Sequence, residues 1–148
     1  MDGSTLSVKS NKIQSKVCPA KIGQLSKKRF FEEFYLPQNT DIKDLKLYIF
    51  ENIFQLIFKY YQNLFACDYR LWVYKQKNRL RPSFIDRKSA YPYPFYKKED
   101  FSLTRNVENW KESTTIKYKN VSIGEFQIHN KRDCIKFRFN FQNILNFL

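Results

Sequence analysis

Residues 121–141 read VSIGEFQIHNKRDCIKFRFNF, and this stretch decides the fold. Over its first nine residues polar and apolar side chains alternate, which is the period of a strand and not of a helix. Ile123, Glu125, Gln127 and His129 fall on one face of such a strand, with Ser122, Gly124, Phe126 and Ile128 on the other. The alternation resumes at Cys134. Ile135, Phe137, Phe139 and Phe141 are apolar, whereas Lys136, Arg138 and Asn140 point the opposite way. Asn130-Lys131-Arg132-Asp133 between the two runs has the polar composition of a turn. The stretch is therefore expected to be an antiparallel ribbon whose bulky face meets the core. Aligning the two core faces sets Glu125, Gln127 and His129 beside Lys136 and Arg138.

Working outward, TTIKY at 114–118 supplies a preceding strand, and Lys119-Asn120 suits a tight turn into the ribbon, giving a three-stranded meander. Upstream the period becomes helical. QNTDIKDLKLYIFENIFQLIFKYYQNLFACD (38–68) predicts one long helix over 41–66, with Thr40 as N-cap and Asp41 and Asp44 at the positive end of its dipole. Glu51, Gln55 and Lys59 recur every four residues and give this apolar segment one wet face, which argues for a core helix against a membrane span. KKRFFEEFYLP (27–37) offers a short amphipathic turn or helix, and YRLWVYKQ (69–76) a strand. Pro82, Pro92 and Pro94 punctuate residues 77–102, which read as an irregular surface segment. Its Arg79, Arg81, Arg87 and Lys88, interleaved with Phe84, Tyr91, Tyr93 and Phe95, fit either a basic, base-stacking loop or a loop packed on the core. Residues 1–24 show no sustained period and read as a basic, mobile arm, leaving 25–148 as a single domain. The fold class is mixed α+β: a long amphipathic helix packed on a C-terminal antiparallel β-meander.

Composition bounds the partner. The chain has 148 residues, 43% hydrophobic and 18% aromatic, enough to build one real core. Lys and Arg number 27 against 14 Asp and Glu, a net charge of +13 with a pI near 9.7. Such a balance is the electrostatic footprint of a nucleic-acid binder. Abundant Phe, Lys, Asn, Ile and Tyr also follow from an AT-rich coding sequence, but that bias does not account for the arginines. Cys18, Cys67 and Cys134 are odd in number and far apart, with no CxxC pair. They make neither a zinc framework nor a disulfide scaffold, and a reducing cytoplasm is the expected setting. The first residues carry no apolar run, so a secretory signal is not expected among them.

The chemistry narrows similarly. GxxxxGK[ST], GxGxxG and HExxH are all absent, and one histidine among three glycines leaves neither a phosphate-cradling loop nor a histidine metal cage. No nucleophile elbow accompanies His129. What remains is the ribbon's polar face, with a carboxylate, an amide, an imidazole and two cations. Phosphodiester cleavage with a hard divalent cation needs carboxylates to hold the metal and a polar group to orient the attacking water. An ordinary cross-strand ion pair has the same residues, so the face alone leaves both readings open.

GEFQIH, and more widely IGEFQIHNKRDCIKFRF, resembles the C-terminal part of type II restriction endonucleases of the PD-(D/E)xK superfamily, in the Glu-x-Gln variant. The resemblance covers about the last forty residues. It implies that Glu125 is a Mg²⁺ ligand and that Gln127 stands at the family's Lys position and helps place the water. The family's preceding Asp, usually introduced by Pro, is missing; Glu112 in WKESTTIKY is the nearest substitute as second metal ligand and catalytic residue, with Glu108 behind it. Lys131, Arg132, Lys136, Arg138, His129, Arg79 and Arg81 are the candidate nucleic-acid contacts, the partner being double-stranded DNA and the assembly a homodimer. Three functional readings stand at this level. They are a Mg-dependent endonuclease, a non-catalytic nucleic-acid-binding domain using a basic hairpin, and a degenerate or truncated endonuclease fragment.

Overall fold

The computed structural model describes residues 3–11, 16–76, 79–129 and 131–148. Its helical layer comprises α1 (Lys27–Glu33), α2 (Ile42–Glu51) and α3 (Ile53–Leu64). The long helix expected over 41–66 is thus two helices in succession. Asn52 separates them: its backbone leaves helical geometry (φ −106°, ψ 20°), and its side-chain amide donates to the Tyr48 carbonyl at 2.9 Å. Asparagine competes for backbone partners in this way, which is why it interrupts helices whose apolar period continues. The cap of α2 is Asp41, whose carboxylate accepts from the Asp44 N–H at 2.8 Å, and not Thr40, whose hydroxyl donates to the Pro37 carbonyl. Glu51, Gln55 and Lys59 do lie on the wet side, while Leu56, Ile57, Tyr60, Tyr61 and Leu64 are buried.

Strands divide between two sheets. β1 (Leu6–Asn11), β4 (Tyr69–Gln76) and β5 (Arg79–Asp86) form a three-stranded sheet in the order β1-β4-β5, with β1 parallel and β5 antiparallel to β4. β5 lies where an irregular segment was expected; Pro82 fits there because β5 is an edge strand with one side of its backbone unpaired in the sheet. The second sheet runs β2 (Lys16–Val17), β9 (Cys134–Asn140), β8 (Val121–His129), β7 (Ser113–Tyr118), β6 (Phe101–Leu103), with β3 (Gln24–Leu25) also on β9. Strands β1 and β2 thus lie in the stretch read from sequence as an arm, and β3 begins at its last residue. The predicted meander is β7-β8-β9. Its first turn uses Lys119 and Asn120 with φ of 47° and 64°, the paired positive values of a tight hairpin turn. Asn130, in the second turn, lies outside the described residues. Phe141 does not extend β9 but begins a short helix, α4 (Phe141–Leu145).

One register detail bears on the polar face. Ile116 pairs with Gly124 but Lys117 pairs with Ser122, so the ladder passes over Ile123. Ile123 is buried, not aligned with Glu125 on the polar side as simple alternation predicts. A bulge inserts one residue and re-aims the side chains before it. Gly124 is needed at this irregularity, because a Cβ there would stand 2.9 Å from both the Arg138 carbonyl oxygen and the Phe137 ring.

The core lies between α3 and the apolar face of β8 and β9. The Tyr60 ring stacks on Phe137 at 4.2 Å between centroids and meets Phe126 edge-on at 5.6 Å. Trp72 of β4 packs edge-on against Phe141 at 4.8 Å, which ties the smaller sheet to the same core. Among the described residues, no helix is long and apolar enough to cross a membrane. Phe137→Ala is expected to cost about 3–5 kcal/mol in urea unfolding, because it empties the centre of this stack. Phe50→Ala, on the exposed side of α2, should change stability by no more than about 0.5 kcal/mol. Equal effects from the two would contradict this placement of the core.

Candidate functional site

The polar face of the larger sheet is built by register. Glu125 lies between Thr115 on β7 and Arg138 on β9; Gln127 lies between Ser113 and Lys136; His129 pairs with Cys134. Lys16 of β2 and Gln24 of β3 extend the face beyond β9, opposite Asn140 and Lys136. Five of the residues singled out from sequence (Glu125, Gln127, His129, Lys136 and Arg138) therefore share one surface. Lys131 and Arg132 are exposed at the β8–β9 turn, which is pinned to the start of α1 by the Asp133 carboxylate accepting from the Lys27 N–H at 2.9 Å. Arg79 and Arg81 are elsewhere, on β5 in the other sheet.

Glu125 is the electrostatic centre of the face. Its Oε2 accepts from the Lys16 ammonium, while its Oε1 accepts from the Arg138 guanidinium and, at 2.5 Å, from the Gln127 amide. The Glu125 side chain is only 12% exposed. Burial pushes its carboxyl up, but the hydrogen bonds and charges of Lys16 and Arg138 together outweigh that and hold it below its ordinary range. It is consequently ionised throughout the neutral range. Arg138 keeps one buried guanidinium N–H, at Nε, without a hydrogen-bond partner. Just after β2, Cys18 Sγ donates to the Phe137 carbonyl of β9 at 3.2 Å, and burial raises its thiol pKa, which makes it a packing group and a poor nucleophile.

Glu112 occupies different ground. It lies just before β7, 61% exposed, with Oε2 4.0 Å from His129 Nδ1. With Lys46, Arg105, Glu108, Trp110 and Lys111 it lines an open cleft of about 730 Å³. The register separates Glu112 from Glu125, since Ser113 already pairs with Gln127. Both Glu125 oxygens are engaged by protein cations, and among the described residues no group of three or more His, Cys, Asp or Glu side chains converges on a metal position. As arranged, Glu125 and Glu112 do not face one another as the carboxylate pair expected from sequence.

Lys16 is the residue of this face that sequence reading missed. Its strand is two residues long, too short to show a period, and its pairing with β9 spans most of the chain. The basic-aromatic segment also divides. Phe95 is buried, Tyr91 and Tyr93 pack on Tyr61, and Phe84 alone of the four is well exposed.

Glu125→Gln should lower stability at neutral pH by about 2 kcal/mol, less than a fully buried pair because Lys16 is over a third exposed. The sign of the pH dependence follows from the lowered carboxyl. The stability difference between wild type and variant should be full above an ordinary glutamate pKa of about 4.3. It should then shrink as pH falls through the folded-state value. Urea unfolding at several pH values measures it, and a difference that grows on acidification would contradict the charge network.

No protein-family model and no solved structure matches the chain. Over 136 residues it is 40% identical to the type II restriction enzyme CviAII of Paramecium bursaria Chlorella virus 1. The alignment takes in 92% of this chain but 39% of that enzyme, so the chain spans about two fifths of its relative's length. The similarity extends well beyond the C-terminal third that carries the Glu-x-Gln pattern, and it supports a restriction-endonuclease-like relationship for the chain.

Proposed function

We propose that this chain is a DNA-interacting domain related to type II restriction endonucleases, and that it holds duplex phosphates on the charged face of β8 and β9 and on their connecting turn. The observation that carries the proposal is the arrangement around Glu125, where one ionised carboxylate fixes Lys16 and Arg138 beside Lys136, close to a turn bearing Lys131 and Arg132. Fixed cations of this kind gain affinity for phosphate by releasing condensed counterions, and an arginine fork matches phosphate geometry. His129 borders the same surface. Arg79 and Arg81, on the other sheet, add sequence-independent attraction. Self-pairing of the chain is the other partnership expected from sequence.

Mg-dependent phosphodiester cleavage is the second reading. It is favoured by the relative, an enzyme by name, and by Glu125 and Gln127 standing two residues apart on one strand face. In that reading Glu125 would hold the metal, with Glu112 as the second acid, and Gln127 would help to place the attacking water. Lys16 and Arg138 would have to release Glu125 before it could serve a metal.

Two experiments separate the readings. Fluorescence titration of a duplex at increasing salt should give binding that weakens linearly on logarithmic axes. Neutralising Lys131, Arg132 and Lys136 together should reduce that slope by about 2–3. An unchanged slope removes this face as the grip. Plasmid DNA incubated with and without Mg²⁺ tests cleavage, with Glu125→Gln as control and circular dichroism to establish that the variant is folded. Metal-dependent cleavage lost in the folded variant supports catalysis at Glu125, and cleavage that persists in it contradicts that assignment.

A further inference from the structure

Arg70 is a buried cation that no carboxylate pairs among the described residues. It stands on β4, two residues before Trp72, with 3% of its surface exposed. Its Nη2 donates to the carbonyl of Leu64, the last residue of α3, and the guanidinium lies over the Phe65 ring at 5.9 Å. Nε and Nη1 are buried without a hydrogen-bond partner among the described residues. Burial presses the guanidinium below its ordinary range, and the group that opposes this is the sulfur of Cys67. Cys67 Sγ lies 3.8 Å from Nη2, in the link between α3 and β4.

A buried charge without a counter-ion is costly, and so is each buried N–H left without an acceptor. A neutral thiol relieves neither, because it carries no charge and accepts hydrogen bonds weakly. A thiolate supplies the charge. A sulfenate adds an oxygen, and an ionised oxygen is a strong acceptor. Bonded to Cys67 Sγ, that oxygen can occupy the gap to the guanidinium fork, whose Nε and Nη1 still lack an acceptor. Cys67 is half-buried, so a small oxidant can reach it. The other two thiols lack this arrangement. Cys18 donates to the Phe137 carbonyl and is held protonated by burial. Cys134 is half-buried like Cys67, but no arginine is bonded to its sulfur among the described residues.

We propose that Cys67 is a peroxide-reactive cysteine whose oxidised sulfur is held by Arg70. The thiolate sulfur attacks one oxygen of hydrogen peroxide; the S–O bond forms, the O–O bond breaks, and the sulfur gives up an electron pair to the peroxide. The proton of the new S–OH group passes to the departing hydroxide, so thiolate and peroxide yield sulfenate and water. Arg70 favours the attacking anion before the step and donates to the sulfenate after it. Because the same guanidinium bonds the Leu64 carbonyl at the end of α3, the modification tightens the joint between α3 and β4.

Dimedone trapping of the full chain in dilute hydrogen peroxide, read by peptide mass spectrometry, tests this. Cys67 should be labelled about tenfold faster than Cys134, and Arg70→Met should slow labelling of Cys67 by about fivefold. Without dimedone, peroxide should raise the wild-type melting temperature by about 3 °C, and dithiothreitol should reverse the rise. Cys67→Ser, a near-isosteric change at a half-buried position, should show no rise, and this variant serves where Arg70→Met does not fold. Labelling spread evenly over the three cysteines, or greatest at Cys134, overturns the site. A melting temperature that does not rise with peroxide, or that rises equally in Cys67→Ser, overturns Arg70 as the holder of the oxidised sulfur. Undiminished labelling of Cys67 in folded Arg70→Met does the same.

Discussion

A β-strand must show alternate side chains to opposite faces, and in β9 this constraint organises the molecule. Ile135, Phe137 and Phe139 are driven to one side, where α3 covers them with Tyr60 and Tyr61. Lys136 and Arg138 are thereby committed to the other side. The same burial that stabilises the core fixes the positions of the cations, with no separate device to hold their backbone. β8 repeats the pattern with Phe126 and Ile128 inward and Glu125 and Gln127 outward, so the sheet is apolar beneath and charged above. A slip of one residue between the strands would turn both faces over, which the aromatic stack does not permit.

On that charged surface the competition is between solvation and pairing. Glu125 has lost most of its water and is kept ionised by two cations from separate strands, one of them the distant Lys16. A carboxylate in this position is costly to leave unpaired. That cost is what makes it an effective organiser of Lys16 and Arg138. It also explains why the motif residues do not translate directly into a metal site. The two acids that the sequence offers as partners belong to different neighbourhoods, Glu125 to the sheet's centre and Glu112 to the cleft beside Trp110.

The sequence was legible where structure is local and periodic. Strands at 69–76, 121–129 and 134–140, the Lys119-Asn120 turn and the short helix after Ser26 could all be read from alternation, helical period or turn chemistry. The break at Asn52 was hidden because the apolar period continues through it on both sides. β5 was hidden by Pro82, which signals a loop unless the strand is known to be an edge. The two-residue strands β2 and β3 exist only through pairing with β9, more than a hundred residues away, and a window of sequence carries no trace of that. The site divides along the same line. The neighbours of Glu125 on β9 follow from strand alternation. Lys16, its partner from β2, follows only from topology. The bulge at Ile123 had a local signal in Gly124, but a glycine in a strand does not say which residue the ladder skips.

The central claim is that the charged face of β8 and β9 is the surface that meets DNA. The most direct measurement is nuclear magnetic resonance mapping of isotope-labelled protein as a duplex is added. The largest shifts should fall on Gln127, Lys136, Arg138 and residues 131–133, with the outer face of β1-β4-β5 unmoved. Shifts concentrated on that outer face, or none on β8 and β9 at saturating DNA, would contradict the account.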